Sequence, residues 1–153
     1  MKLHGTACIA ERRVAVSNTL VLILAGGLGT RMGPLCEGRA KPVLPFAGTL
    51  RVIDFSLSNA VNSGLRRIAV LINHQRHQLK DYLSTGAPWG LGRKGELEIL
   101  EPRAGAYTGT AQAVYQNPSC IEASGADLVL ILAADHVYKM DYRPMLAFYE
   151  GGG

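Results

Sequence analysis

Aromatic residues are scarce in this 153-residue chain, at 7 % with a single tryptophan, Trp89. No stretch interleaves them with basic residues, which argues against a nucleic-acid surface. Cysteine is nearly absent: Cys8, Cys36 and Cys120 are an odd number and form no CxxC pair. That excludes a disulfide framework and a zinc ribbon and fits a reducing cytoplasm. Long apolar runs are missing as well. No run approaches the roughly 18 residues a membrane helix needs, and Leu20 to Ala25, the run where a leader core would stand, holds only six. No basic stretch with a cleavage site precedes it, so no secretory leader is expected. Internal repeats are absent.

Hydrophobic residues make up 48 % and charged residues 18 %, enough apolar material for one folded domain. The net charge of +4 is local. Residues 1–50 carry six Lys or Arg against two acids, whereas residues 51–153 carry ten of each sign. A compact basic cluster points to an anionic ligand rather than a nucleic-acid track.

Three short runs are continuously apolar: 19–25 (TLVLILA), 67–72 (RIAVLI) and 127–134 (DLVLILAA). Such runs read as strands buried on both faces, hence a parallel sheet with helices on either side. Residues 96–100 alternate at first and suit a short further strand. Helices are expected over 54–63, with Gly64 as the cap, and over 75–84, 109–117 (ended by Pro118) and 142–150. Residues 85–95 form a glycine-rich loop with Trp89 as its hydrophobic anchor. Residues 1–18 lack periodicity and are treated as an N-terminal extension to a domain over 19–153. The alternation of strand and helix predicts a Rossmann-like, doubly wound α/β fold with a mainly parallel sheet of about three principal strands.

Ligands in such sheets sit beyond the carboxyl ends of the strands. Two ends are chemically loaded. After the first strand comes Ala25-Gly26-Gly27-Leu28-Gly29-Thr30-Arg31, whose glycines let the backbone approach a ligand and whose N–H groups suit phosphate oxygens. Arg31 adds a fork-shaped cation, and Arg39 and Lys41 follow. The loop is neither GxxxxGK[ST] nor a complete GxGxxG, since Met32 stands at the third glycine's place. After the third strand comes Asp135, a carboxylate that suits either Mg2+ or the capping of a following helix. His136 is expected to pack beside it. His74 and His77 have no metal-binding spacing and are expected on the solvated surface.

The segment 24–32 (LAGGLGTRM) resembles the signature loop of sugar-phosphate nucleotidyltransferases. The stretches 39–46 (RAKPVLPF), 51–64 (RVIDFSLSNAVNSG), 109–117 (GTAQAVYQN) and 130–142 (LILAADHVYKMDY) continue the likeness in order. They narrow it to the ADP-glucose pyrophosphorylase (glucose-1-phosphate adenylyltransferase) branch, over about residues 20–149. The resemblance implies ATP and glucose 1-phosphate as substrates and Mg2+ as cofactor, with ADP-glucose and pyrophosphate as products in glycogen or starch synthesis. It implies nucleotide contacts at Leu24, Ala25, Gly26, Gly27, Gly29, Thr30, Gly109 and Thr110. Arg31 and Lys41 would serve catalysis, Tyr107 would lie against substrate, and Asp135 would bind the metal. Arg39 and Arg51 would meet an anionic effector. A homotetramer is implied for a full-length relative.

Several positions depart from the family's pattern. Gln112 replaces the aspartate of GTADA, Ala134 the glycine before Asp135, Ala106 a tryptophan, and Gly38 a basic regulatory residue. The expected glutamine-rich adenine segment is not recognisable between Ile99 and Gly105. Family members are also much longer, so an uncovered sheet edge is expected. A sibling enzyme with another nucleotide and a non-catalytic nucleotide-binding subunit are the alternative readings.

Overall fold

The computed structural model describes residues 18–152 apart from positions 28, 37, 75, 85, 94, 95 and 104, and at Thr30 and Arg31 the backbone only. The expected extension 1–18 therefore lies, but for Asn18, outside the described residues.

The first apolar run forms β1, Thr19–Ala25, at the centre of a four-stranded parallel sheet. A two-residue hairpin follows, with β2 at Pro45–Phe46 and β3 at Leu50–Arg51. Helix α1 (Val52–Asn62) then leads to β4, Arg67–Ile72. Helix α2 (Arg76–Leu83) leads to β5, Leu97–Leu100. Helices α3 (Thr110–Tyr115) and α4 (Pro118–Ser124) precede β6, Leu128–Ala133, and α5 spans Arg143–Glu150. The strand order is β5-β4-β1-β6. Strands are thus added outward from β1 on one side and then on the other, so the winding reverses between β1 and β6. At such a reversal the strand ends splay apart into a crevice.

The period of two along β1 divides its side chains between two cores. Val21, Ile23 and Ala25 join Ile68, Val70 and Ile72 of β4 under α1, α2 and α5, with Ile53, Leu57, Leu79 and Leu146 packed against them. Leu20 and Leu22 meet Ala69 and Leu71 on the opposite face, under Ala113, Val114 and Ile121 of α3 and α4. Helices on both faces are what a doubly buried parallel sheet requires.

Helix α1 begins where the Asp54 carboxylate accepts the Arg51 backbone N–H at 2.7 Å, a capping contact. It ends at Gly64, as its sequence position predicts, with Leu65 N–H returning to the Ala60 carbonyl at 3.0 Å. Its polar side chains are buried stations for the chain that follows β6. Ser56 Oγ donates to the Ala133 carbonyl at 2.7 Å, and Asn59 Nδ2 to the Tyr138 carbonyl at 2.9 Å. Ser63 Oγ accepts the Tyr142 N–H at 2.9 Å. Ser56 and Asn59, buried within the helix, are explained by these bonds, because a buried polar group must find a partner.

The short further strand expected at 96–100 is present as β5, which pairs in parallel with β4 and brings the sheet to four strands. Three expectations need correction. The third apolar run is not buried on both faces: β6 lies at an edge, and Val129 and Ile131 stay 39 % and 50 % exposed, which agrees with the uncovered sheet edge expected from the sequence. The expected helix over 109–117 ends at Tyr115. Pro118 begins a second helix, at the first position where its missing N–H costs nothing. His136 is not packed; its side chain is 66 % exposed. Trp89 does anchor its loop, edge-on to Tyr82 at 5.7 Å between ring centres. Among the described residues no helix is long and apolar enough to cross a membrane.

Candidate active site

A cavity of about 380 Å³ opens at the carboxyl ends of β1, β4 and β6. That is within the range of small-molecule sites. Three segments wall it: Leu24–Gly27, Tyr107–Thr110 and Ala133–Asp135, with Lys41 and Pro42 closing a further side. The winding reversal thus brings together residues more than a hundred positions apart.

The glycine loop is shaped by its neighbours. Gly29 has φ +66°, a conformation that side chains rarely adopt, and a Cβ there would stand 2.6 Å from Cys36 Sγ. Only glycine fits both conditions. The Gly29 carbonyl accepts the Met32 N–H at 2.9 Å, turning the chain into the short 3-10 segment Thr30–Cys36. Arg31 lies on this segment; its side chain falls outside the described residues.

Lys41 opens another 3-10 turn whose next residues, Pro42 and Val43, are buried. The Gln78 carboxamide grips the approach to it from α2: Nε2 donates to the Gly38 carbonyl at 2.7 Å and Oε1 accepts the Ala40 N–H at 3.0 Å. Lys41 Nζ is thereby held 2.7 Å from Asp135 Oδ2. Both side chains are partly open to solvent, 27 % and 38 % exposed. The ammonium's hydrogen bond holds the Asp135 carboxyl below the usual carboxylate range, against the opposing effect of its partial burial. His136 Nε2 is 3.9 Å from Asp135 Oδ1.

Tyr107 is buried and its hydroxyl accepts from Asn117 Nδ2 at 3.0 Å. Gly109 and Thr110 start α3 at the cavity's rim. Gln112, where the family pattern has aspartate, turns its Oε1 back to accept the Thr108 N–H at 2.6 Å. Ala134 is accommodated: it is buried, and its N–H reaches the Leu24 carbonyl at 3.0 Å.

Of the expected site residues, Leu24, Ala25, Gly26, Gly27, Lys41, Tyr107, Gly109, Thr110 and Asp135 line the cavity. Arg39 and Arg51 do not line it. Arg39 is exposed, two residues before Lys41. Arg51 is committed to internal contacts. Its Nη1 donates to the Val43 carbonyl at 2.6 Å, and its guanidinium carbon lies 4.5 Å from the Tyr82 ring centre. Asn73 and His74, which follow β4, also line the cavity, so His74 is not simply a surface residue. The strand-end rule applied to β4 as well as to β1 and β6 points to both.

Comparison with known proteins agrees with this architecture. A family model described as Nucleotidyl transferase matches residues 20–151. A glucose-1-phosphate adenylyltransferase of Thermotoga sp. (strain RQ2) is 49 % identical over 140 residues, covering 88 % of this chain and 33 % of the relative. Glucose-1-phosphate adenylyltransferase 2 of Alkalilimnicola ehrlichii is 53 % identical over 137 residues, 85 % of this chain and 32 % of the relative. A glucose-1-phosphate adenylyltransferase of Clostridium novyi is 45 % identical over 137 residues, 86 % and 36 % respectively. The chain spans about a third of the length of these curated relatives. A family model that matches residues 20–151 and relatives 45–53 % identical over most of this chain show that the chain belongs to the nucleotidyl transferase family.

Proposed function

We propose that this chain is the nucleotide-binding portion of an enzyme that transfers an adenylyl group from ATP to glucose 1-phosphate. The observation that carries the reading is the Lys41–Asp135 pair, 2.7 Å apart in a cavity walled by a glycine loop. A cation, a carboxylate and close-approaching backbone are what a polyphosphate and its metal require together. The names of the relatives favour ATP and glucose 1-phosphate as the pair of substrates.

In this reaction a phosphate oxygen of the sugar attacks the α-phosphorus, and the bond to the pyrophosphate oxygen breaks. Negative charge accumulates on the leaving pyrophosphate. Catalysis then consists of holding two polyanions in line and neutralising that charge. Leu24 to Gly27 and Gly109–Thr110 border the nucleotide, and Gly29 and Thr30 set the turn that aims the loop. Lys41 faces the phosphates, and Arg31 is assigned to the same leaving group. Tyr107 contributes a buried wall beside the substrate.

Asp135 suits Mg2+ by its hard oxygens. Among the described residues no three His, Cys, Asp or Glu side chains gather as a complete ligand set. A single carboxylate still fits an ion that takes most of its ligands from phosphates and water. When bound there, Mg2+ supplies a Lewis acid that withdraws charge from phosphate oxygens. Asp135 would hold the metal, and Lys41, now 2.7 Å from that carboxylate, would contribute its charge to the phosphates beside it. Arg39, which is exposed, is the first candidate for contact with an anionic effector, and Arg51, which already has internal contacts, is the second. A homotetramer remains the expectation for a full-length protein of this kind.

The test is nucleotide titration of the chain with Mg2+, by calorimetry. ATP is expected to bind, and Lys41→Met to weaken it about 10-fold or more, the worth of one charge-assisted hydrogen bond. Tighter binding of UTP, dTTP or GTP than of ATP would overturn the adenylyl assignment. Failure of every nucleotide to bind would overturn the site.

A further inference from the structure

We propose that Asn73 is a positioning residue whose carboxamide holds the Tyr107–Thr110 wall in register with the glycine loop. The inference rests on reading the cavity as a nucleotide site. Asn73 directly follows β4, and it is only 6 % exposed. Its Nδ2 donates to the Tyr107 carbonyl at 2.9 Å, and its Oδ1 accepts the Tyr107 N–H at 3.0 Å. The carboxamide therefore pairs with one residue's backbone as a neighbouring strand would. On its other side Asn73 abuts the glycine loop: a Cβ on Gly26 would lie 3.2 Å from Asn73 Cβ. One side chain thus touches both opposed walls.

The wall has no sheet bonds to locate it. Around Tyr107, between β5 and α3, the described chain has no helix or strand. It is held instead by side chains: Asn73 on the Tyr107 backbone, Asn117 on the Tyr107 hydroxyl, Gln112 Oε1 on the Thr108 N–H and Arg76 Nη2 on the Gly105 carbonyl at 2.7 Å. Arg76 in turn anchors to the Asn73 carbonyl through Nε at 2.9 Å. Of these, only the Asn73 side chain both lines the cavity and fixes main-chain groups of the wall. Substrate affinity in a preorganised site depends on walls already at the right separation, because movement of the wall on binding subtracts from affinity.

Asn59 supplies the control. It brackets backbone the same way, with Nδ2 to the Tyr138 carbonyl at 2.9 Å and Met140 N–H to Oδ1 at 3.2 Å. It is equally buried but does not line the cavity. The experiment compares Asn73→Leu and Asn59→Leu with the parent chain by thermal melting, by ATP titration with Mg2+, and by hydrogen exchange at the Tyr107 amide. Asn73→Leu is expected to speed Tyr107 exchange at least 10-fold and to weaken ATP at least 10-fold. Asn59→Leu is expected to lower the melting temperature while leaving ATP affinity within about 3-fold. If Asn73→Leu does not fold, Asn73→Asp keeps the acceptor for the Tyr107 N–H and loses the donor; at least a 3-fold loss of affinity is then expected. Equal loss of ATP affinity in the two Leu variants means a merely structural role and overturns the inference. So does unchanged Tyr107 exchange in Asn73→Leu, or a variant that binds ATP as the parent does. A parent chain that binds no nucleotide sinks the functional reading and this inference with it.

Discussion

Gly29→Ala separates two physical reasons for a glycine at the loop. The residue sits at φ +66°, and an alanine Cβ would meet Cys36 Sγ at 2.6 Å and Cys36 Cβ at 3.2 Å. Gly38 has the same φ, +66°, but nothing stands within 4 Å of its would-be Cβ. The left-handed backbone costs a non-glycine residue about 1–2 kcal/mol. The loss of unfolded-state freedom returns about 0.4–1 kcal/mol. Both contributions are common to the two sites and cancel in the comparison. What remains at Gly29 is overpacking against a half-buried thiol, typically about 1–3 kcal/mol. For a chain of this length the extra fall in Tm relative to Gly38→Ala is about 2–12 °C. Urea denaturation should show the same order through its midpoint, with the slope unchanged. In a Cys36→Ala background most of the extra cost should vanish, since the sulfur is the nearest atom and the remaining contacts need only a few tenths of an ångström. Gly29→Ala should also weaken ATP, because a would-be Cβ reaches within 3.4 Å of Lys41 Cβ. If Gly29→Ala costs no more than Gly38→Ala, or if Cys36→Ala restores nothing, the packing argument for the loop fails.

Two further perturbations address the scaffold. Burial, and then hydrogen bonding to Asp54, push the Tyr82 hydroxyl up to about 12. Because the folded value is raised, the stability it contributes is full below the ordinary value of about 10 and is lost as pH rises toward about 12. Absorbance titration of phenolate should show this tyrosine ionising late, and Asp54→Asn should bring it earlier without reaching the ordinary value; an unshifted titration in Asp54→Asn contradicts the assignment. On the exposed face of β6, Ile131→Lys should leave the unfolding free energy within about 0.5 kcal/mol while reducing self-association in sedimentation velocity. A large loss of stability instead would show that this face is covered.

The parts of the fold legible in the sequence are those whose signal is local. β1 announces itself by seven apolar or β-branched residues, and its glycine stop marks the ligand end. Gly64 announces the end of α1, and Asp135 its place after β6. The misreadings share one cause, that periodicity records apolar character and not what covers it. β6 is as apolar as β1, yet it lies at an edge with one face open, because sheet position is set by pairings over a hundred residues apart. The short β5 is legible from the alternation at 96–100, whereas its place beside β4 comes only from the parallel register of the fold. Pro118 is compatible with ending one helix or beginning another, and only the break at Asn117 decides between them. Charge has the same ambiguity. Arg51 is expected by resemblance to meet an anionic effector, and the fold places it against the Val43 carbonyl and the Tyr82 face, contacts that exist only after α1 and α2 have packed. Asn73 is the inverse case. An asparagine after a strand reads as a turn residue, since its carboxamide bonds nearby backbone in many turns. Here the partner is Tyr107, thirty-four residues on, and that distant bond ties the end of β4 to the opposite wall of the cavity. The strand-end rule locates such residues without identifying their partners, so every strand end facing the cavity, and not only those bearing charge, belongs in the search for the site.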